Sequence, residues 1–369
     1  MGKPLTKSKK ITFFIIFNLI SVSIIILLLE VFLNLFLDGH IRHDGGFLED
    51  HNIYKVVNIK NAIATQKGPE FEYIIKINGQ GFREPNDTQK EKKQKTKRVM
   101  FFGDSFTFGS GNDEKNTIPS LLDSILIYNN NQNFEVINCG ISSYSTHNSV
   151  VYMEHIAKQF NPDILVLSLM PNDLFRVTQI DSQYHTSVET DSDLGKNNMS
   201  QNNIDIDRNY SKKYKWQIPV LAKRILLSSD YFYSKVYLSS FRGEYFKKNI
   251  SELLKNKLDI TTSILDRAIK FCKMRKVKLV LLYMPQQFEV IYKSNEFENK
   301  NKIDPDLISN YYKNYASKNN INFLNTKKRL VNSYQANRED LYFRLDGHLN
   351  YFGNKIIAES LFQSGYFSD

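Results

Sequence analysis

Ser105 stands in Gly103-Asp104-Ser105-Phe106-Thr107-Phe108-Gly109, directly after the apolar run Arg98-Val99-Met100-Phe101-Phe102. That order describes a buried strand ending in a tight turn, with a hydroxyl presented at the carboxyl edge where open α/β sheets bind ligands. A serine hydroxyl is a weak nucleophile until an imidazole takes its proton, and the imidazole works best when a carboxylate fixes its tautomer. Asp346 and His348, in Asp346-Gly347-His348-Leu349-Asn350, offer both groups. The backbone N–H groups of Ser105 and Gly140 and the side-chain amide of Asn172 are three candidate donors for the oxyanion that acyl transfer generates. The chemistry this set would perform is ester cleavage through an acyl-serine.

Each residue also has a plainer reading. Gly, Asp and Ser are common in strand-to-helix turns for backbone reasons. Gly140 also reads as a turn glycine, and Asn172-Asp173 as a helix cap. His348 competes with His40, His43, His51, His147, His155 and His185. What favours the chemical reading is the order of all these residues at the ends of predicted strands.

Those strands are short apolar runs. After Arg98–Phe102 come 134–138, ending at Cys139-Gly140, and 164–169, introduced by Asn161-Pro162-Asp163. The runs 278–284, closed by Pro285, and 321–325 complete the set. Helical patterns lie between them at 117–126, 148–160, 264–274 and 351–362. Strands alternating with helices predict an α/β fold, a parallel sheet covered on both faces. The stretch 178–213 is rich in Asn, Asp and Ser and has no periodicity, so an insertion at about 177–255 is expected, helical from Ile218 to Lys255. Residues 39–97 read as a lead-in segment packed on the main domain, which spans 98–369. Its sharpest element is Ile77-Asn78-Gly79-Gln80-Gly81-Phe82-Arg83, a structured turn; the lysine-rich run that follows reads as a surface loop.

The amino terminus bears on location. Lys3, Lys7, Lys9 and Lys10 precede Ile11 to Leu29, which carries no charge. That length is close to the roughly 20 residues of a membrane-crossing helix. The apolar character continues through Leu37 with no small-residue cleavage site, which favours an uncleaved transmembrane anchor within residues 1–38 over a signal peptide. The basic flank predicts a cytoplasmic N-terminus and an extracytoplasmic remainder. Glu30 is the anomaly: it either marks the outer end of the span or faces a partner helix.

The net charge is +10, but the basic residues are scattered or sit in short polar runs such as Glu91–Arg98. No aromatic-interleaved basic motif accompanies them, so a solvated basic face is expected and nucleic acid is not. Cys139 and Cys272 do not form a metal-spaced pair or a disulfide framework. The chemistry requires no metal or nucleotide cofactor.

The ordered set resembles the SGNH (GDSL) hydrolase superfamily over roughly Arg98 to Phe362. Gly103-Asp104-Ser105 is similar to its first block, Gly140 to its second, Asn172 to its third, and Asp346 with His348 to its last. The resemblance implies a three-layer α/β/α sandwich, flavodoxin-like, with five parallel strands. It implies Ser105 as nucleophile, His348 as general base, and Gly140 and Asn172 as oxyanion donors. The stretch 78–83 also looks like membrane-anchored bacterial members. One departure is the spacing: many members carry the acid three residues before the histidine, whereas Asp346 is two before. Asp-x-His occurs in members that O-acetylate exported polysaccharides, so transfer of an acyl group to a sugar is an alternative to hydrolysis. A non-catalytic glycan-binding or assembly protein is a third reading. The implied substrate is an acylated glycan or lipid.

Overall fold

The computed structural model describes residues 6–36, 42–129, 133–177, 216–297, 302–337 and 339–367. Helix α1 (Lys7–Phe36) exposes its apolar side chains along nearly the whole length. Five short strands follow: β1 (Arg42–Asp44), β2 (Leu48–His51), β3 (Lys55–Asn58), β4 (Ile63–Lys67) and β5 (Glu72–Lys76). They form a three-stranded antiparallel sheet, β1-β4-β5, and the hairpin β2-β3.

The main body then alternates. Strand β6 (Thr96–Phe102) leads into the one-turn helix α2 (Ser105–Phe108), then α3 (Ile118–Asn129), β7 (Asn133–Asn138), α4 (Thr146–Phe160), β8 (Ile164–Leu169) and the short α5 (Asp173–Arg176). Beyond the aperiodic stretch 178–213, which lies outside the described residues, come α6 (Gln217–Leu227), α7 (Asp230–Ser239) and α8 (Glu252–Arg275). The chain closes with β9 (Lys278–Tyr283), α9 (Gln287–Ile291), α10 (Leu307–Lys318), β10 (Asn322–Asn325), α11 (Lys327–Asn337) and α12 (Tyr351–Gln363).

Strands β6 to β10 form one all-parallel sheet in the order β10-β9-β8-β6-β7. Counted along the chain this is the 2-1-3-4-5 order of flavodoxin-like folds, with the topological switch point between β6 and β8. Side chains alternate across the pleat. Met100, Phe102, Leu165, Leu167, Leu279 and Leu281 enter one apolar layer with Met153 of α4, Leu265 of α8 and Tyr312 of α10. Val99, Phe101, Val166, Val280 and Leu282 enter the other with Leu122 of α3, Leu330 of α11 and Leu361 of α12. Burial on both faces explains why these strands read as continuous apolar runs. The result is a three-layer α/β/α sandwich with one apolar N-terminal helix.

Two expectations need correction. The helix read at 264–274 begins at Glu252, where Ser251 caps it by accepting a hydrogen bond from the Leu254 N–H at 3.2 Å. The expected insertion boundary near Lys255 therefore falls inside a helix of the main body. Arg98, at the end of the basic run, is not solvated: it is fully buried and ion-paired with Glu135 at 2.7 Å. Its guanidinium also donates to the carbonyls of Gln89 and Lys90 at 2.7 and 2.8 Å, tying the lysine-rich loop to the start of β6. Lys92 pairs with Asp163 at 2.7 Å.

Candidate active site

The turn after β6 is shaped by Asp104, whose carboxylate accepts the Phe106 N–H at 2.9 Å and caps α2. This cap puts Ser105 at the first helical position, where the backbone N–H lies outside the helix ladder and is available to a ligand oxygen. Thr107 of the same turn donates to Ser168 of β8 at 2.6 Å, which pins α2 to the sheet.

Gly140 follows β7 because nothing larger fits: a Cβ there would lie 2.4 Å from the Phe108 nitrogen. The close approach of α2 thus accounts for the glycine on packing grounds. Its N–H donates to the Asn138 side-chain oxygen at 3.0 Å, so this expected oxyanion donor is engaged within its own loop. Asn172 follows β8 and precedes α5, at the same carboxyl edge of the sheet as Ser105. It makes no side-chain cap to α5.

Asp346 and His348 approach from the loop before α12. The His348 Nε2 atom lies 2.7 Å from Ser105 Oγ. Nδ1 of the same ring is in short hydrogen-bond contact with Asp346 Oδ1. With the Nδ1 proton donated to the carboxylate, the Nε2 lone pair faces the serine hydroxyl. The Phe106 ring covers the imidazole at a centroid distance of 4.9 Å. Ser105 is buried, while His348 and Asp346 are partly accessible.

An extended Asp-x-His segment would place both side chains on one side, and the structure achieves the contact differently. Gly347 adopts φ of +93° and donates its N–H to the Phe343 carbonyl at 2.7 Å. The chain folds back, and Asp346 Oδ1 also accepts the His348 N–H at 3.2 Å. Burial pushes the Asp346 carboxyl up. Its hydrogen bonds with His348 and the nearby positive charges, including Lys223 of α6, outweigh that effect and hold it below its ordinary value.

Three supporting residues carry no local sequence signal for their roles. Glu70, between β4 and β5, accepts the N–H groups of Leu345 and Asp346 at 2.8 and 3.2 Å. Arg176 pairs with Asp104 at 3.4 Å. Arg83, in the structured turn, is fully buried and donates to the carbonyls of Gly109, at 2.9 Å, Phe108 and Asn112, clamping the carboxyl end of α2. Burial lowers its guanidinium to about 10. The lead-in segment completes the support, with Phe47, just before β2, stacked on Phe108 at 5.5 Å. Among the described residues, no group of three or more His, Cys, Asp or Glu side chains is placed to hold a metal ion.

No family model matches the chain, and no curated protein does. Solved structures do. A catalytic mutant of an acetylxylan esterase from Geobacillus stearothermophilus matches at 14% identity and a TM-score of 0.42, covering 76% of this chain and 98% of that one. A solved structure of TesA matches at 12% identity and a TM-score of 0.41, covering 73% and 98%. A member of the lipolytic protein G-D-S-L family from Veillonella parvula DSM 2008 is similar at 13% identity and a TM-score of 0.39, over 74% and 98%.

Proposed function

We infer that the protein is a membrane-anchored serine ester hydrolase of the SGNH type, acting on acyl or acetyl esters of an envelope glycan or lipid on the outer side of the membrane. The observation that carries this reading is the continuous line from Asp346 Oδ1 through the His348 ring to Ser105 Oγ, 2.7 Å from Nε2. Helix α1 supplies the anchor.

As Ser105 Oγ bonds to the acyl carbon, its proton passes to His348 Nε2, and Asp346 stabilises the imidazolium that forms. Collapse of the tetrahedral species breaks the bond to the alcohol oxygen, which leaves with the proton held by His348. Water, deprotonated by the same nitrogen, then attacks the acyl-serine, releasing the acid and restoring Ser105. The oxyanion is held by the Ser105 N–H and the Asn172 amide. The Gly140 N–H contributes once it turns from Asn138 towards the substrate.

The test is hydrolysis of short p-nitrophenyl esters by the purified full-length chain without a glycan acceptor. Release of free acid is expected. Product formation only when a glycan is added would instead make the reaction acyl transfer to sugar.

A further inference from the structure

Helix α6 is amphipathic, and the second half of its apolar side is uncovered among the described residues. Ile218, Leu221, Ala222, Ile225 and Leu226 recur at i, i+3, i+4, i+7 and i+8, the spacing of a single helical stripe. Ile225 is 66% exposed and Leu226 41%, and Trp216, just before the helix, is 48% exposed. Lys223 and Arg224 project from the remaining surface. A stripe of this kind normally faces a core; here Ile218 and Leu221 are half-buried, while Ala222, Ile225 and Leu226 are left exposed among the described residues.

The level of α6 relative to the bilayer is set by α1. Ile11 to Glu30 spans about 28 Å of helix, which matches the roughly 30 Å hydrocarbon core. Glu30 therefore reaches the outer rim. It is 1% exposed, and its two carboxylate oxygens accept the backbone N–H groups of Gln217 at 2.6 Å and Ile218 at 3.0 Å. The Asn34 amide donates to the same carboxylate at 2.7 Å. An anion at a helix N-terminus satisfies donors that the helix cannot. This answers the anomaly of Glu30: it holds the start of α6 at the outer edge of the span. Beyond Glu30, Val31, Phe32, Leu35 and Phe36 stay exposed, continuing the apolar surface.

We propose that α6 is an interfacial helix whose Ile225–Leu226 stripe lies in the headgroup region of the bilayer that α1 spans, holding the Ser105 site at the membrane surface; this rests on the reading of α1 as a span. Basic residues beside an apolar stripe, with a tryptophan at one end, suit that layer. The link to the site runs through the neighbouring helix α7 and through charge. Asp230 of α7 pairs with Arg344 at 3.0 Å, two residues before Asp346, and the charge of Lys223 reaches the Asp346 carboxyl. The surface thus fits lipid headgroups and brings esters carried by membrane-bound molecules to the site.

Trp216 is the only tryptophan of the chain, so its emission reports this position alone. The full-length protein is reconstituted into phosphatidylcholine–phosphatidylglycerol vesicles containing phosphatidylcholine brominated at shallow or deep acyl carbons. Quenching is expected, stronger with the shallow bromines. It should be lost, with a red shift, in the Ile225→Glu/Leu226→Glu variant, whose circular dichroism and hydrolysis of a soluble ester remain those of the parent. Absence of quenching at either depth overturns the inference, as does equal quenching in the variant. Carbonate extraction reads the span separately. A chain that resists extraction but shows no quenching keeps α1 and loses α6. A chain that is extracted, yet was quenched beforehand, keeps α6 and loses α1.

Discussion

Glu70 accepts the backbone N–H of Leu345 at 2.8 Å, so a residue in the loop between β4 and β5 sets the position of the loop that carries Asp346 and His348. Burial pushes the Glu70 carboxyl up, against the lowering effect of the N–H groups it accepts. Its role is to position the loop, since it does not touch the serine. Glu70→Ala leaves two loop donors without their acceptor, a cost of about 1–3 kcal/mol. The expected result is a loss in kcat of about 10–100-fold with KM little changed. Glu70→Gln retains an acceptor oxygen and should recover most of the rate. Steady-state kinetics on a soluble ester distinguish this from general unfolding, which would lower the active fraction without favouring the glutamine.

Gly347 permits the turn that joins the acid to the base. At φ of +93° a side chain is strained even though nothing stands within 4 Å of the added Cβ. Gly347→Ala should cost about 1–2 kcal/mol of stability, read as a lower denaturation midpoint. Because relief of strain moves Asp346 away from Nδ1, kcat should also fall towards that of Asp346→Asn, for which a loss on the order of 10²–10⁴ is expected.

Arg83 makes a comparable prediction for the nucleophile. Its guanidinium spans the carbonyls at the end of α2, a fork that a lysine cannot reproduce. Arg83→Lys should lower both the urea midpoint and kcat, and Arg83→Leu should lower them further. An unchanged kcat in either variant would separate the clamp from the serine.

How far such contacts can be foreseen depends on whether they are local. The run 164–169 coincides with β8 because a strand buried on both faces must be apolar throughout. The segment 39–97 hid five strands, since short and half-exposed strands of mixed polarity lack both the apolar run and the clean alternation. Helices α10 and α11 lack a clear apolar stripe for a related reason: their exposed faces carry Asn and Lys, and their buried faces include the polar-tipped Tyr312 and Tyr334. The order of Ser105, Asp346 and His348, after a strand and before the last helix, is readable in the sequence, whereas Glu70 is one glutamate in a polar loop until the chain folds. The engagement of the Gly140 N–H by Asn138 is likewise set by loop geometry.

Stability against pH should carry the mark of Glu289. Burial raises this carboxyl from the ordinary 4.5 to about 7, against the lowering effects of Lys327 and the hydrogen bonds from Tyr283 and Gln286. Between those values the folded state holds a proton that the unfolded state has released, so stability falls as pH rises, by up to about 3 kcal/mol. Below the unfolded value both states are protonated and this contribution is fully present. Urea titrations from pH 4.5 to 8 should show a flatter profile for Glu289→Gln than for the parent.

The central claim is that Ser105 carries the acyl group, and intact-protein and peptide mass spectrometry after brief reaction with p-nitrophenyl acetate tests it most directly. The account predicts acetyl on the peptide containing Ser105, its absence in Ser105→Ala, and strongly diminished labelling and turnover in His348→Ala. Equal ester hydrolysis by the parent and both variants, with no acetyl on that peptide, would contradict it.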